Sequence, residues 1–314
     1  MTQARDHGGG LDAAIARYGG ARADWIDLST GINPVPYPVG EIGAQAWTAL
    51  PDTGAMARLL DAARSFWNVP RAADIIAAHG ASALIARLPS VFAGDTATIP
   101  APTYNEHAAA FRAQGWSVQE HGAAAVTTVV HPNNPDGRMW RAADIDGPTV
   151  IDESFCDVAP DQSLVTETTG GGVVVLKSFG KFWGLAGLRL GFAIGQPDTL
   201  APLRDLMGPW SVSGPALDIG ARALADQAWA EETRGRLAAD ADRLDALLTG
   251  AGAQVVGGTT LFRLYEVDDA VRWQDHLARH HVWSRIFPYS KTWVRLGLPH
   301  PDRWAQVADA VAGV

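Results

Sequence analysis

Hydrophobic positions in the first two-thirds of the chain gather into short continuous runs rather than alternating with polar ones. DIIAA (74–78), TATIP (96–100), AVTTVV (125–130), PTVIDES (148–154), VVVLK (173–177) and LGFAIG (190–195) all read this way. A brief continuous apolar run marks a strand covered on both faces, so these segments, with the shorter SVQEH (117–121), predict a mainly parallel sheet under helical cover, an α/β fold. The intervening segments carry the helical period instead. In AMARLLDAARSFW (55–67), Leu59, Leu60, Ala63 and Trp67 share one face. HGASALIARLPSVF (79–92) and AAAFRAQG (108–115) predict two more helices, the first opened by Gly80.

Beyond about residue 215 the pattern changes. PALDIGARALADQAW and AEETRGRLAADADRLDALLTG are alanine-rich and charged, and together predict one long helical arm ended by Gly250. After it come QVVGGTTLFRLYEV, a helix over 269–282, WSRIF, WVRLGL and a last helix from Asp302: a small α+β domain. The Gly- and Pro-rich N-terminal segment has too little apolar content for a core of its own. The division expected is therefore 1–45 packing on the small domain, 46–225 as the large domain and 226–314 as the small one.

Composition narrows the function. Apolar residues make up 47% and charged ones 19% of 314 residues, with 34 acidic against 25 basic side chains and a net charge of −9. No basic face is left for nucleic acid or an anionic membrane surface. One cysteine, Cys156, excludes a disulfide framework, fits a reducing cytoplasm, and at a strand end is expected to be buried and inert. MTQARDHGGGLDAAIARYGG has no signal-peptide core, and no apolar stretch approaches the roughly 20 residues that span a bilayer.

Candidate chemistry clusters where strands end. Ser178-x-x-Lys181 follows VVVLK, and Arg189 stands in GLAGLRLG just before the next run. HPNNPDG (131–137) turns the chain after AVTTVV and places Asn134 at the sheet's carboxyl edge, while Asp152 ends a buried strand where its charge must be paired. Gly80, Ala81 and Ser82 lie where a strand passes into a helix, whose first amides are free to take an anion. An amine, a buried acid, an amide donor and an anion site at one sheet edge are the groups that pyridoxal 5′-phosphate requires. A lysine must be desolvated or placed beside positive charge to react near neutral pH, because its free pKa is about 10.4.

In the order Asn134, Asp152, Ser178, Lys181, Arg189, the chain resembles the fold-type I, class I/II aminotransferase family over nearly its whole length. The resemblance implies a seven-stranded large domain and a homodimer. It assigns Lys181 to the cofactor aldehyde, Asp152 to the pyridinium, Asn134 to the phenolic oxygen and Tyr104 to stacking on the ring. Ser178, Arg189 and the amides of Ala81 and Ser82 would hold the phosphate. Arg295 in WVRLGLP matches the arginine for the substrate carboxylate, and Arg285 on a neighbouring strand suggests a second anionic group. Within the family the chain looks most like the threonine-phosphate decarboxylases of cobalamin biosynthesis. HGGG, with His7 and with Gly10 in place of a usual asparagine, LSTGINPVPYP with Asn33, and Phe155 in place of a usual tyrosine carry that resemblance. The implied reaction takes L-threonine O-3-phosphate to (R)-1-amino-2-propanol O-2-phosphate with loss of CO2. The alternative is an aminotransferase acting on histidinol phosphate or another anionic amino acid. Tyr18 and Tyr37 are the candidates for a tyrosine reaching the neighbouring subunit's cofactor.

Other classes fit less well. A Ser178-nucleophile hydrolase with Lys181 as base would need further motifs, and KTW at 291–293 is the nearest approach to one. A non-catalytic cofactor-binding regulator would bring a basic DNA-binding segment, which is absent. His276, His280 and His281 share a predicted helix but lack a further ligand, so no metal is expected.

Overall fold

The structure, a computed structural model, describes residues 7–314. The chain divides into two compact units. One holds the residues up to Val35, Pro135–Gly137 and Glu232–Val314; the other holds Pro36–Asn134 and Arg138–Glu231. The N-terminal segment contributes α1 (Leu11–Tyr18) and β1 (Ile26–Asp27) to the smaller unit.

The larger unit contains α2 (Ala44–Thr48), α3 (Thr53–Phe66), β2 (Asp74–Ala78), α4 (Ala81–Ile85), β3 (Thr96–Thr98), α5 (Asn105–Ala113) and β4 (Ser117–Gln119). It continues with β5 (Val126–Val130), β6 (Thr149–Asp152), β7 (Val173–Ser178), β8 (Gly191–Gly195), α6 (Pro197–Met207) and α7 (Gly214–Ala225). The seven strands form one sheet in the order β2-β8-β7-β6-β5-β3-β4. All pairs are parallel except those of β8, which runs antiparallel to both neighbours. Consequently the carboxyl ends of β2, β5, β6 and β7 and the beginning of β8 lie along one edge: Ala78 and Ser178 both register with Gly191, and Val130 with Asp152. Each continuous apolar run is a strand of this sheet, and β6, β7 and β8 are buried along nearly their whole length.

Two helical expectations need correction. HGASALIARLPSVF does not form one helix. α4 has five residues and a 3-10 turn follows at Leu88–Ser90, where Pro89 removes an amide that a longer helix would need. The long arm is likewise two helices, α7 and α8 (Gln227–Gly250). Asp226 leaves the helical region at φ −94°, ψ 77°, and its Oδ1 accepts from Trp229 N at 3.0 Å, capping α8.

The smaller unit adds β9 (Gln254–Thr259), β10 (Phe262–Glu266), α9 (Ala270–Arg279), β11 (Val282–Trp283), β12 (Arg285–Phe287), β13 (Ser290–Gly297) and α10 (Trp304–Val311). WSRIF, expected as one strand, is shared between two sheets. β11 pairs in parallel with β1, whereas β12 joins the antiparallel sheet β12-β13-β10-β9. Leu11, Ala14 and Trp25 pack with Ala278, so the N-terminal segment builds this unit's core. α9 ends at Arg279, so His280 and His281 lie beyond it, and His276 Nε2 bonds to Ala310 O at 3.0 Å. Among the described residues no helix is long and apolar enough to cross a membrane.

Candidate active site

At the carboxyl edge of the large sheet a cavity opens, lined by Ala81, Ser82, Tyr104, Asn134, Asp152, Ser154, Phe155, Ser178, Lys181 and Arg189, among others. Nine residues that the sequence singled out separately therefore meet in one place; Ser154 was not among them.

Asp152 is the last residue of β6 and only 2% exposed. Burial pushes its carboxyl upward, but hydrogen bonds with His107 and Ser154 outweigh that and hold it below the usual carboxylate range. Since the acid is ionised, His107 Nε2 donates to Oδ2, at 2.8 Å. Ser154 donates to Oδ1 from its hydroxyl at 2.5 Å and from its backbone N–H at 3.0 Å. A fixed negative charge thus lines the cavity.

Lys181 follows β7 by three residues, is half-buried, and carries its Nζ 5.2 Å from the centre of the Phe155 ring. The Tyr104 ring stands edge-on to His107 at 6.0 Å.

The anion pocket depends on two glycines. A Cβ at Gly80, whose φ is +91°, would lie 2.6 Å from Arg189 Nη2, and a Cβ at Gly191 would collide with the backbone nitrogen of Ala81. Only glycine lets the Arg189 guanidinium and the 80–82 turn approach this closely. Arg189 itself takes the left-handed region at φ +53° and donates from Nη1 to Ala186 O at 2.9 Å. Gly80 shapes the pocket without lining it. Because α4 is so short, the amides of Ala81 and Ser82 belong to a tight turn rather than to a helix with a developed dipole.

The residues expected at the substrate, His7, Asn33, Arg285 and Arg295, all belong to the smaller unit. Arg285 and Arg295 are register partners across β12 and β13. Arg295 is 4% exposed and donates to Ser29 O at 2.6 Å; Arg285 donates to His7 O at 2.6 Å. Burial, then the neighbouring Arg285, push the Arg295 guanidinium down to about 10. Two cations set side by side cost stability, an arrangement suited to receiving an anion. Asn33 Oδ1 accepts from Val35 N at 3.0 Å and from Arg236 Nη2 at 2.7 Å.

Several partners escaped the sequence reading. His107 is remote in sequence from Asp152, and Arg236 from Asn33, with no local signal for either. Ser154, two residues beyond Asp152, forms a local turn that was readable. The clearest missed signal was Lys177, a charge inside an apolar strand. It is 1% exposed and pairs with Glu153 at 2.5 Å and Asp157 at 3.7 Å. Cys156 is fully buried, and burial first, then Glu153, raise its thiol well above the ordinary range. It lies near His131 and Glu153, but both His131 nitrogens are engaged, Nδ1 by Trp140 N at 3.0 Å and Nε2 by Gln162 O at 2.7 Å. The two tyrosines considered for a neighbouring subunit are engaged within the chain: Tyr18 donates to Asp275 at 2.9 Å, and Tyr37, 8% exposed, stands edge-on to Trp183 and Trp229.

Comparison with known proteins matches residues 120–311 to the family model "Aminotransferase class I and II". The chain is 39% identical to a threonine-phosphate decarboxylase of Sinorhizobium sp, over 98% of this chain and 97% of that one. It is 38% identical to a threonine-phosphate decarboxylase of Pseudomonas aeruginosa, over 98% and 97% respectively. Among solved structures, a histidinol-phosphate aminotransferase from Sinorhizobium meliloti in complex with pyridoxal-5′-phosphate superposes with a TM-score of 0.83 at 18% identity, covering 96% of this chain and 93% of that one.

Proposed function

The chain belongs to the aminotransferase class I and II family, and on that premise we propose that it is a pyridoxal-phosphate-dependent decarboxylase acting on L-threonine O-3-phosphate. The observation that carries the reading is the meeting of Lys181, Asp152, Asn134, Tyr104, Ser178 and Arg189 around one cavity. The full-length likeness to two threonine-phosphate decarboxylases favours that substrate, and with it a place in cobalamin biosynthesis, over transamination of histidinol phosphate.

The cavity fits the cofactor in three respects. A pocket cleared of side chains by Gly80 and Gly191 sets Arg189 against the 80–82 turn, as a phosphate requires. A carboxylate held ionised by His107 and Ser154 suits a protonated ring nitrogen. An aromatic, Tyr104, lines the same space. When bound, pyridoxal phosphate supplies an aldehyde for an amine and a ring that withdraws electrons from the substrate's Cα.

The chain's own residues do the rest. Lys181 would hold the cofactor through its side-chain amine. Asp152, held ionised, would keep a proton on the ring nitrogen, and a lost partner in such a buried pair costs about 3–5 kcal/mol. Asn134 would donate to the ring's phenolic oxygen. Phe155 stands where the family usually carries a tyrosine; a hydrogen bond to a charged group is worth about 1.5–3 kcal/mol, so its loss tunes the ring without threatening binding. We assign Arg285 and Arg295, with His7 and Asn33, to the substrate's phosphate and carboxylate. A homodimer in the cytoplasm belongs to the same proposal, checked by light scattering of the purified protein. The test of function is CO2 release from threonine phosphate without a keto-acid acceptor. Release that requires an acceptor, with ketone formed instead, would establish the aminotransferase.

A further inference from the structure

Lys181 is held in an irregular segment with Gly180 before it and Gly184, at φ +67°, after it. Backbone bonds there are few: Phe179 N to Leu190 O at 3.1 Å, Gly184 N to Lys181 O at 3.0 Å and Leu185 N to Phe179 O at 3.2 Å. What fixes the segment is side-chain burial, since Phe179, Phe182 and Trp183 are all fully buried. Trp183 lies nearly parallel to Phe179 (5.1 Å, 12°) and to Trp229 (5.3 Å, 13°). Stacking sets the plane of the indole but leaves it free to slide. Its Nε1 removes that freedom by donating to Asp157 Oδ2 at 3.1 Å. Asp157 is 3% exposed and itself fixed, by Trp67 Nε1 on Oδ1 at 2.8 Å and by Lys177 at 3.7 Å. Tyr37 N donates to the Trp183 carbonyl at 2.9 Å. Neither Trp183 nor Asp157 lines the cavity.

Strand alternation explains the arrangement. Asp152 and Ser178 face the cavity, so the adjacent Glu153 and Lys177 face away, into the layer that holds Asp157. We propose that Trp183, pinned through its indole N–H to the buried Asp157 carboxylate, is a positioning residue that sets Lys181 for reaction in the cavity. The proposal rests on the cofactor reading given above for its chemistry, though not for its geometry.

Trp183→Phe tests it: phenylalanine keeps an aromatic ring in the stack but loses the indole's second ring along with the donor, so the lost volume needs a control, while Asp157 retains Trp67 and Lys177. Phe111→Leu, a change to a buried core aromatic of the same unit that packs on Trp116, serves as control for general loosening. In cofactor-free protein, amide exchange over 179–185 should quicken at least about fivefold in Trp183→Phe and not in the control. In protein loaded with pyridoxal phosphate, the pH midpoint of the visible band should move by about half a unit in Trp183→Phe alone. There kcat should fall about tenfold with KM for threonine phosphate little changed. Equal behaviour of Trp183→Phe and Phe111→Leu in exchange and in the visible band overturns the proposal. Wild-type protein that fixes no cofactor on borohydride treatment sinks the cofactor reading instead; amide exchange, which needs no cofactor, then decides the positioning role by itself.

Discussion

Replacing Lys177 with methionine isolates the buried charge cluster beneath the site. Methionine nearly matches the lysine stem in length, so the cavity contribution is small and the loss is electrostatic. Lys177 pairs with both Glu153 (2.5 Å) and Asp157 (3.7 Å), and all three side chains are at most 4% exposed. Its removal takes from two buried carboxylates the cation they share, in a setting where breaking a buried pair costs about 3–5 kcal/mol. Burial alone would lower the lysine's pKa, but Glu153 first, then Cys156 and Asp157, raise it above the ordinary lysine range. A folded pKa above the unfolded one means that the stabilisation is complete below the ordinary lysine pKa and is lost only as pH rises through the raised value. The wild-type contribution is therefore constant between pH 5 and 8. The variant differs, because its stranded acids relieve their repulsion by taking up a proton. Urea unfolding followed by tryptophan fluorescence, using Trp67 and Trp183 beside the cluster, should show a deficit of about 3–5 kcal/mol at pH 8 that shrinks towards pH 5. Adding Glu153→Gln should recover a large part of it. A deficit under about 1 kcal/mol at pH 8, or one equal at both pH values, would refute the reasoning.

Other changes act on the site directly. Asp152→Ala should leave the cofactor fixable to Lys181 by borohydride yet lower kcat by a hundredfold or more, the equivalent of about 3–5 kcal/mol; activity within tenfold of wild type would remove Asp152 from its assigned role. Gly80→Ala places a Cβ 2.6 Å from Arg189 Nη2 at φ +91°, so cofactor affinity measured by titration should fall about tenfold or more while far-ultraviolet dichroism stays unchanged. Arg285→Gln relieves the cation opposite Arg295, and should stabilise the substrate-free protein by roughly 0.2–1 kcal/mol while raising KM for threonine phosphate. Unchanged stability and unchanged KM would together argue that the two arginines serve only the sheet.

Why the sheet was readable and the cluster beneath it was not follows from the range of each effect. A strand covered on both faces must be apolar at every position, and that demand is written in consecutive residues, as in VVVLK and LGFAIG. Residues at or beside strand ends inherit their placement from the strands: parallel β5, β6 and β7 bring Asn134, Asp152 and Lys181 to one edge, and antiparallel β8 begins there just after Arg189. Helix ends were less legible, because they turn on single caps: Asp226 breaks the arm by bonding to Trp229, and Pro89 prevents α4 from extending. Least legible were the partners that make the placed residues work. His107 reaches Asp152 from 45 residues away and Arg236 reaches Asn33 from 203. No period or turn rule links such pairs. Yet the energetics demanded them: a carboxylate ending one buried strand and a lysine inside the next cannot remain charged without counter-groups. Lys177 in VVVLK was the visible half of that demand. Its unseen half, Glu153 and Asp157, lay in the same short segment, 152–157, as Asp152 and Phe155, where the apolar run ends.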